Sequence, residues 1–193
     1  TSVTLEIGNQ TPTGGGYYAK QEGKNRVYMI SKYTGDKLLS GRKEIMDKQL
    51  FDITPDDITK FGLNRRGENV FIAEKADDKW NMVTPIKGSL NESSFFSMLE
   101  DIANARATEF VDENPEDLSV YGLDKPAYEL VFSSGTTGEM KLQIGLEKKG
   151  DYTFYAKLDG QDDVFTIGTD AFTFLDKPLK EIVNIFAYIV NIQ

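Results

Sequence analysis

The sequence predicts an α+β fold, built from duplicated β-hairpin and meander units with antiparallel sheets and about three helices. Three observations carry that expectation. Short runs of alternating apolar and polar residues, each closed by Gly, Asn or Asp, recur along the 193 residues. Helical spacing is confined to a few separate segments and does not alternate with strands, which argues against a doubly wound parallel sheet. The chain also repeats itself at an offset of 137 residues.

The elements follow in order. Val3 to Gly8 alternates as a half-buried strand, and a turn at Gly14-Gly15-Gly16 follows. Tyr17 to Lys20 and Arg26 to Ile30 read as a hairpin turning at Glu22 to Asn25. Leu38, Leu39, Ile45, Met46 and Leu50 suggest a helix over 36–50. Residues 58–63, 69–74 and 79–83 read as a three-stranded meander, with turns at 64–67 and 76–78. Asn91 opens the clearest helix, with Phe95, Phe96, Leu99, Ile102 and Ala103 on one face and an end near Arg106 or Thr108. Asn114 and Pro115 are the cap and first position of a short helical turn that Gly122 can stop. Residues 127–133, 139–145, 152–158 and 163–167 are four further strands. A helix from Thr169-Asp170 to about Val183 and a final strand over 187–193 complete the reading.

The repeat aligns residues 3–30 with 140–167 without a gap, and nine of the 28 positions are identical. Leu5, Ile7, Gly8, Tyr18, Ala19, Lys20, Gly23, Val27 and Ile30 recur as Leu142, Ile144, Gly145, Tyr155, Ala156, Lys157, Gly160, Val164 and Ile167. Lys43-Glu44-Ile45 matches Lys180-Glu181-Ile182 at the same offset. The period is too long for a solenoid and points to a duplicated domain. Residues 1–55 are then the C-terminal part of a truncated first unit, and 56–193 a nearly complete second one. The strand at 127–133 has no counterpart after Thr1, so one sheet edge of the first unit is expected to lie open.

Composition narrows the chemistry. The chain has no His and no Cys, so Ser-His-Asp and Cys-His catalysis, Cys/His zinc sites and disulfides are excluded. A net charge of −9 disfavours nucleic acid and anionic membrane surfaces as main partners. Neither a signal peptide nor an apolar run of the ~20 residues that a membrane span needs is present. Ser133 to Lys141 looks like the phosphate-binding loop of adenylate-forming enzymes, but the Ser, Gly and Thr residues suit a hairpin turn equally, and the hairpin is preferred. The acidic pairs at 56–57, 77–78, 112–113 and 162–163 read as solvated turns. No catalytic residue, cofactor or metal site is assigned. The candidate contact residues are Tyr17, Tyr18, Tyr155 and Trp80. Neighbours in a strand face opposite ways, so one aromatic of each pair, Tyr17-Tyr18 and Phe154-Tyr155, is expected in the core and the other in solvent.

An ordered set of motifs resembles the bacterial domain-of-unknown-function family 4340. It comprises Tyr121-Gly122-Leu123-Asp124-Lys125-Pro126, Leu142-Gln143-Ile144-Gly145, Phe154-Tyr155-Ala156-Lys157 and Val164-Phe165-Thr166-Ile167. The first copy supplies Leu5-Glu6-Ile7-Gly8, Tyr17-Tyr18-Ala19-Lys20 and Val27-Tyr28-Met29-Ile30. The resemblance implies an extracytoplasmic domain of a membrane-anchored bacterial envelope protein, its anchor ahead of Thr1, accessory to an ABC-type transporter or envelope complex. It carries no catalytic residue. The alternative is a glycan- or peptide-binding module using the exposed aromatics.

Overall fold

The structure is a computed structural model that describes residues 3–40, 46–135 and 137–182. Contacts divide the chain into two units, Thr1–Asp47 and Lys48–Gln193.

The first unit is a three-stranded antiparallel sheet in the order β1 (Leu5–Gln10), β2 (Gly16–Gln21), β3 (Val27–Ser31), followed by helix α1 (Lys32–Leu39). The predicted hairpin is present. The predicted helix begins earlier than Asp36, because the Ser31 hydroxyl accepts the Thr34 N–H at 3.1 Å and caps the first turn. Gly35 sits inside α1 for a packing reason: a Cβ there would collide with the Tyr17 ring. The Tyr17 hydroxyl donates to Asp36 at 2.7 Å, and Lys32 pairs with the same carboxylate at 2.6 Å. Residues 41–45 of that predicted helix lie outside the described residues, and 46–50 are not helical. Gln49 instead bridges Arg106, and the Leu50 N–H donates to the Ala105 carbonyl at 3.0 Å.

The second unit holds a nine-stranded sheet. Its strands are β4 (Ile58–Arg65), β5 (Glu68–Ala76), β6 (Lys79–Thr84), β7 (Gly88–Ser89), β8 (Glu109–Asp112), β9 (Tyr128–Ser134), β10 (Gly138–Lys148), β11 (Thr153–Leu158) and β12 (Val164–Gly168). Their order is β7-β6-β5-β4-β9-β10-β11-β12-β8. Helices α2 (Glu92–Ala103) and α3 (Leu179–Ile182) accompany it. The predicted meander is β4-β5-β6, and β4–β9 pairing joins it to the repeat through Phe61↔Phe132 and Leu63↔Leu130, all four buried. Phe61 touches the rings of Phe71, Phe95 and Phe174 at centroid distances of 5.5, 6.1 and 6.0 Å. This tilted and edge-to-face cluster is the centre of the core.

The duplication is visible in hydrogen-bond register. β1–β2 pairs Leu5↔Gln21, Glu6↔Lys20 and Ile7↔Ala19, then shifts and resumes at Gln10↔Tyr17. β10–β11 pairs Leu142↔Leu158, Gln143↔Lys157 and Ile144↔Ala156, then shifts and resumes at Glu147↔Phe154. Every pair, and the bulge between them, is displaced by 137 residues. The next hairpins agree as well, and Gly23 and Gly160 both turn them at φ 74.

Several expectations need correction. Helix α2 ends at Ala103, because Arg106 is drawn into the bridge with Gln49. The turn after Pro115 is a 3₁₀ segment, Leu118–Tyr121, capped by Asp117 and not by Asn114. The Asp117 carboxylate accepts the Ser119 N–H at 2.9 Å. Phe110 and its neighbours form the strand β8 against β12. From Thr169 onward the chain turns irregularly and buries Phe172, Phe174 and Leu175. Only Leu179–Ile182 is helical there, since Pro178 disfavours helix at the preceding residue. Val183 and the predicted strand over 187–193 lie outside the described residues. The aromatic pairs do not split into one core and one exposed ring. Ala19 and Ala156 take the core positions, Tyr17, Phe154 and Tyr155 are half-buried, and Tyr18 is exposed.

One close approach distinguishes the two copies. A Cβ on Gly145 would collide with the Tyr121 carbonyl oxygen and lie 3.1 Å from the Gly122 carbonyl carbon and oxygen. A Cβ on Gly8 would meet only the Tyr18 carbonyl oxygen at 3.6 Å and the Tyr18 Cβ at 3.9 Å. Gly145→Ala is therefore expected to destabilise the second unit by about 2 kcal/mol, as overpacking does. Gly8→Ala is expected to leave stability unchanged or slightly raised, and thermal melts of the two variants check the contrast.

Acid stability follows from two caps. Asp57 accepts the Thr54 N–H at 2.8 Å and its hydroxyl at 2.7 Å, which holds its carboxyl below the ordinary range. Asp117 is lowered in the same way by the hydroxyl and backbone N–H of Ser119. A lowered folded-state value means that this stability is complete above the unfolded value near pH 4. It is lost as pH falls through the lowered values. Melting temperature should therefore drop below about pH 4, and Asp57→Asn should remove part of that drop.

Candidate functional site

Of the four candidate aromatics, Tyr17 and Tyr18 belong to the first unit and Trp80 and Tyr155 to the second. Tyr17 is tied down by Gly35 and by its hydrogen bond to Asp36. Tyr155 packs on Tyr121 with ring centroids 5.1 Å apart, and the Tyr121 hydroxyl donates to Asp112 at 2.9 Å. Burial first, and then that bond, raise the Tyr121 phenol above its ordinary value. Tyr17 and Tyr155 are thus packing residues. Tyr18 and Trp80 keep faces toward solvent.

Trp80 lines a groove of the second unit. On β6 it lies opposite Lys75 of β5, beside the two-residue turn Asp77-Asp78, where both residues have positive φ, 50 and 59. Lys75 reaches Asp78 at 3.9 Å. Trp80 packs against Phe95 with tilted rings, centroids 4.8 Å apart. The Asn91 side chain caps α2 by accepting the Ser94 N–H at 3.2 Å, and this sets Glu92, Ser93 and Phe96 alongside. A groove of ≈ 510 Å³ results, lined by Trp80, Phe96, Asp56, Lys75, Asp78, Glu92 and Ser93. Its floor is aromatic. Its rim carries three carboxylates against one ammonium, so it suits an occupant with an apolar anchor and positive or hydroxyl-rich surroundings.

Phe96, expected on the core face of α2, is 45% exposed, while Phe95, Met98, Leu99, Ile102 and Ala103 are buried. Spacing alone could not have shown this, because Ala103, seven residues on and on the same helix face, is buried.

The remaining motifs have structural roles. Ser133 to Lys141 is the β9–β10 hairpin with Gly138 at φ 78, and Lys141 pairs with Glu129 at 3.7 Å across the sheet. Thr136 within it lies outside the described residues. Asp57 caps its own turn, and Asp112 accepts from Tyr121. A second groove of ≈ 580 Å³ gathers Glu100, Asp101, Asn104, Arg106, Thr108 and Asp170. Burial pushes the Asp101 carboxyl up, against the opposing pull of Lys177. Among the described residues no group of three or more acidic side chains is arranged to hold a metal ion. Among them also, no helix is long and apolar enough to cross a membrane.

No curated protein and no solved structure matches the chain. One family model does, and it matches twice, over residues 1–113 and 80–185, consistent with the duplicated domain. These two matches span nearly the whole sequence, and the chain belongs to the family described as Domain of unknown function (DUF4340).

Proposed function

We propose that the chain is a non-catalytic, extracytoplasmic domain of a membrane-anchored bacterial envelope protein. It serves an ABC-type transporter or another envelope complex as an accessory and meets its protein partner at the Trp80–Phe96 groove. The resemblance supplies the setting. The observation that carries the binding role is Phe96, a large aromatic ring left 45% exposed in the groove that Trp80 also lines. Such an aromatic patch inside a charged rim has the anatomy of a protein interface. The rim's three carboxylates favour a partner segment that brings Lys or Arg around an apolar anchor.

A second reading uses the same groove. The half-buried Trp80 face next to Asp56, Asp78 and Glu92 offers a stacking platform with hydrogen-bond acceptors at its side, which fits a glycan or an extended peptide.

Crosslinked pull-down of the membrane-embedded full-length protein separates the two. Transporter or envelope subunits should be recovered with the natural sequence and lost with Phe96→Asp, while the melting temperature of the variant stays unchanged. Equal recovery with Phe96→Asp would remove the groove from the partner surface. Recovery of no membrane protein, with cell-wall fragments or peptides shifting Trp80 fluorescence, would favour the second reading.

A further inference from the structure

The nine-stranded sheet has a second face around β4, opposite α2. Helix α2 sits on the core side, where Phe95 meets Phe61 and Phe71. Strand neighbours alternate, so Lys60, Gly62 and Asn64 lie on the other side of β4 from Phe61 and Leu63. Gly62 stands opposite Ile72 of β5 and Val131 of β9, and both of these are half-buried. A notch of ≈ 220 Å³ results, with Gly62 between the two aliphatic side chains.

No packing demand accounts for the glycine. β4 is paired along both edges, and glycine in the interior of a strand weakens it. The φ of Gly62 is not positive. The register shifts of β4 fall on either side of it, between Ile58 and Lys60 and between Leu63 and Asn64. A Cβ there would meet Ile72 Cγ1 at 3.6 Å and the carbonyl oxygens of Val131 and Phe71 at 3.7 and 3.8 Å, which are ordinary contacts. What the missing side chain provides is the notch. Its volume is below the ~300–1,000 Å³ of pockets that enclose a small molecule, and it suits one aliphatic side chain.

The charges around the notch are balanced with one exception. Lys60 pairs with Glu74 at 3.1 Å, and Lys141 pairs with Glu129 at 3.7 Å. Asn69 donates to Asn64 at 3.1 Å. Glu139 also lines the notch, and its carboxylate has no ion-pair or hydrogen-bond partner among the described residues. We propose that the notch is a docking site for a partner polypeptide, separate from the Trp80 groove and independent of it. The partner inserts one Leu, Ile or Val side chain over Gly62, between Ile72 and Val131, and brings a neighbouring Lys or Arg to Glu139. The apolar anchor supplies affinity, and the lone carboxylate selects the sign of the charge beside it.

The probe is the peptide acetyl-Lys-Gly-Leu-Gly-Lys-amide, added to the protein with labelled Ile and Val methyl groups and followed by NMR. The Ile72 and Val131 methyl resonances should shift with a Kd of about 1 mM, the range of a single small anchor. Ala in place of the peptide Leu should weaken binding about tenfold or more. Glu in place of both peptide Lys residues should weaken it about fivefold at low salt, and Glu139→Gln should bring the two peptides level. Gly62→Val should abolish the shifts and leave the melting temperature unchanged or raised, since a β-branched residue suits a strand. If that variant does not fold, Gly62→Ala carries the same test with a weakening of about threefold. Absence of any Ile72 or Val131 shift at about 10 mM peptide would overturn the proposal. So would binding that survives Gly62→Val, or a melting temperature lowered by Gly62→Ala, which would show that packing requires the glycine. A shift confined to the Trp80 indole would place the peptide in the other groove and also overturn it. Shifts of the two methyls that grow with protein concentration in the absence of peptide would make a second copy the occupant and overturn the assignment to a different partner. None of these outcomes bears on Phe96, whose pull-down tests the Trp80 groove by itself.

Discussion

The second unit depends on β9 being paired along both of its edges. β9 hydrogen-bonds β4 on one side and β10 on the other, and so joins the meander to the repeated hairpins in one sheet. Its inward side chains Leu130 and Phe132 are fully buried. The Phe132 and Phe51 rings stand nearly perpendicular with centroids 4.8 Å apart. Removing such a strand would open two ladders and expose the middle of the core together. Central strands with apolar inward residues dominate sheet stability for that reason.

The first unit shows the same pattern without that strand. Its hairpins keep the register and the bulge of their twins, because bulge, turn glycines and alternation are local properties of each hairpin. Its burial differs, because burial is a property of neighbours. Three strands and one short helix leave both faces partly wet, and small sheets of this kind gain stability only when a further layer or strand covers them. Identical local pairing with unequal burial separates what a hairpin carries in itself from what it borrows from the sheet.

Charge is distributed consistently with a surface role. The excess of acids sits on turns and caps, where carboxylates accept backbone N–H groups, as Asp57 and Asp117 do. Lys148 lies between Asp151 at 2.8 Å and Glu109 at 3.1 Å, and these partners raise its ammonium well above the ordinary value. Pairs this exposed are screened and add little to stability. Around Trp80 the same acids do something different, since they rim an aromatic floor.

The sequence alone determined the fold class, the meander, the hairpins and the duplication. Each rests on periodicity, on turn chemistry or on direct identity at a fixed offset, and all of these are local. Tertiary structure decided the rest. The helix over 36–50 gave way to a helix that starts after Ser31 and to the Gln49–Arg106 bridge, because a cap and a distant partner outweighed apolar spacing. The predicted helix after Thr169 became a turn that seats Phe172 and Phe174 in the core, since burying two aromatic rings outweighs weak helix propensity beside Pro178. Of the four candidate aromatics, Tyr17 and Tyr155 were taken by Gly35 and Tyr121. Trp80 meets Phe95 and shares a groove with Phe96, neighbours that strand alternation could not have supplied, because helix and strand are brought together only by packing.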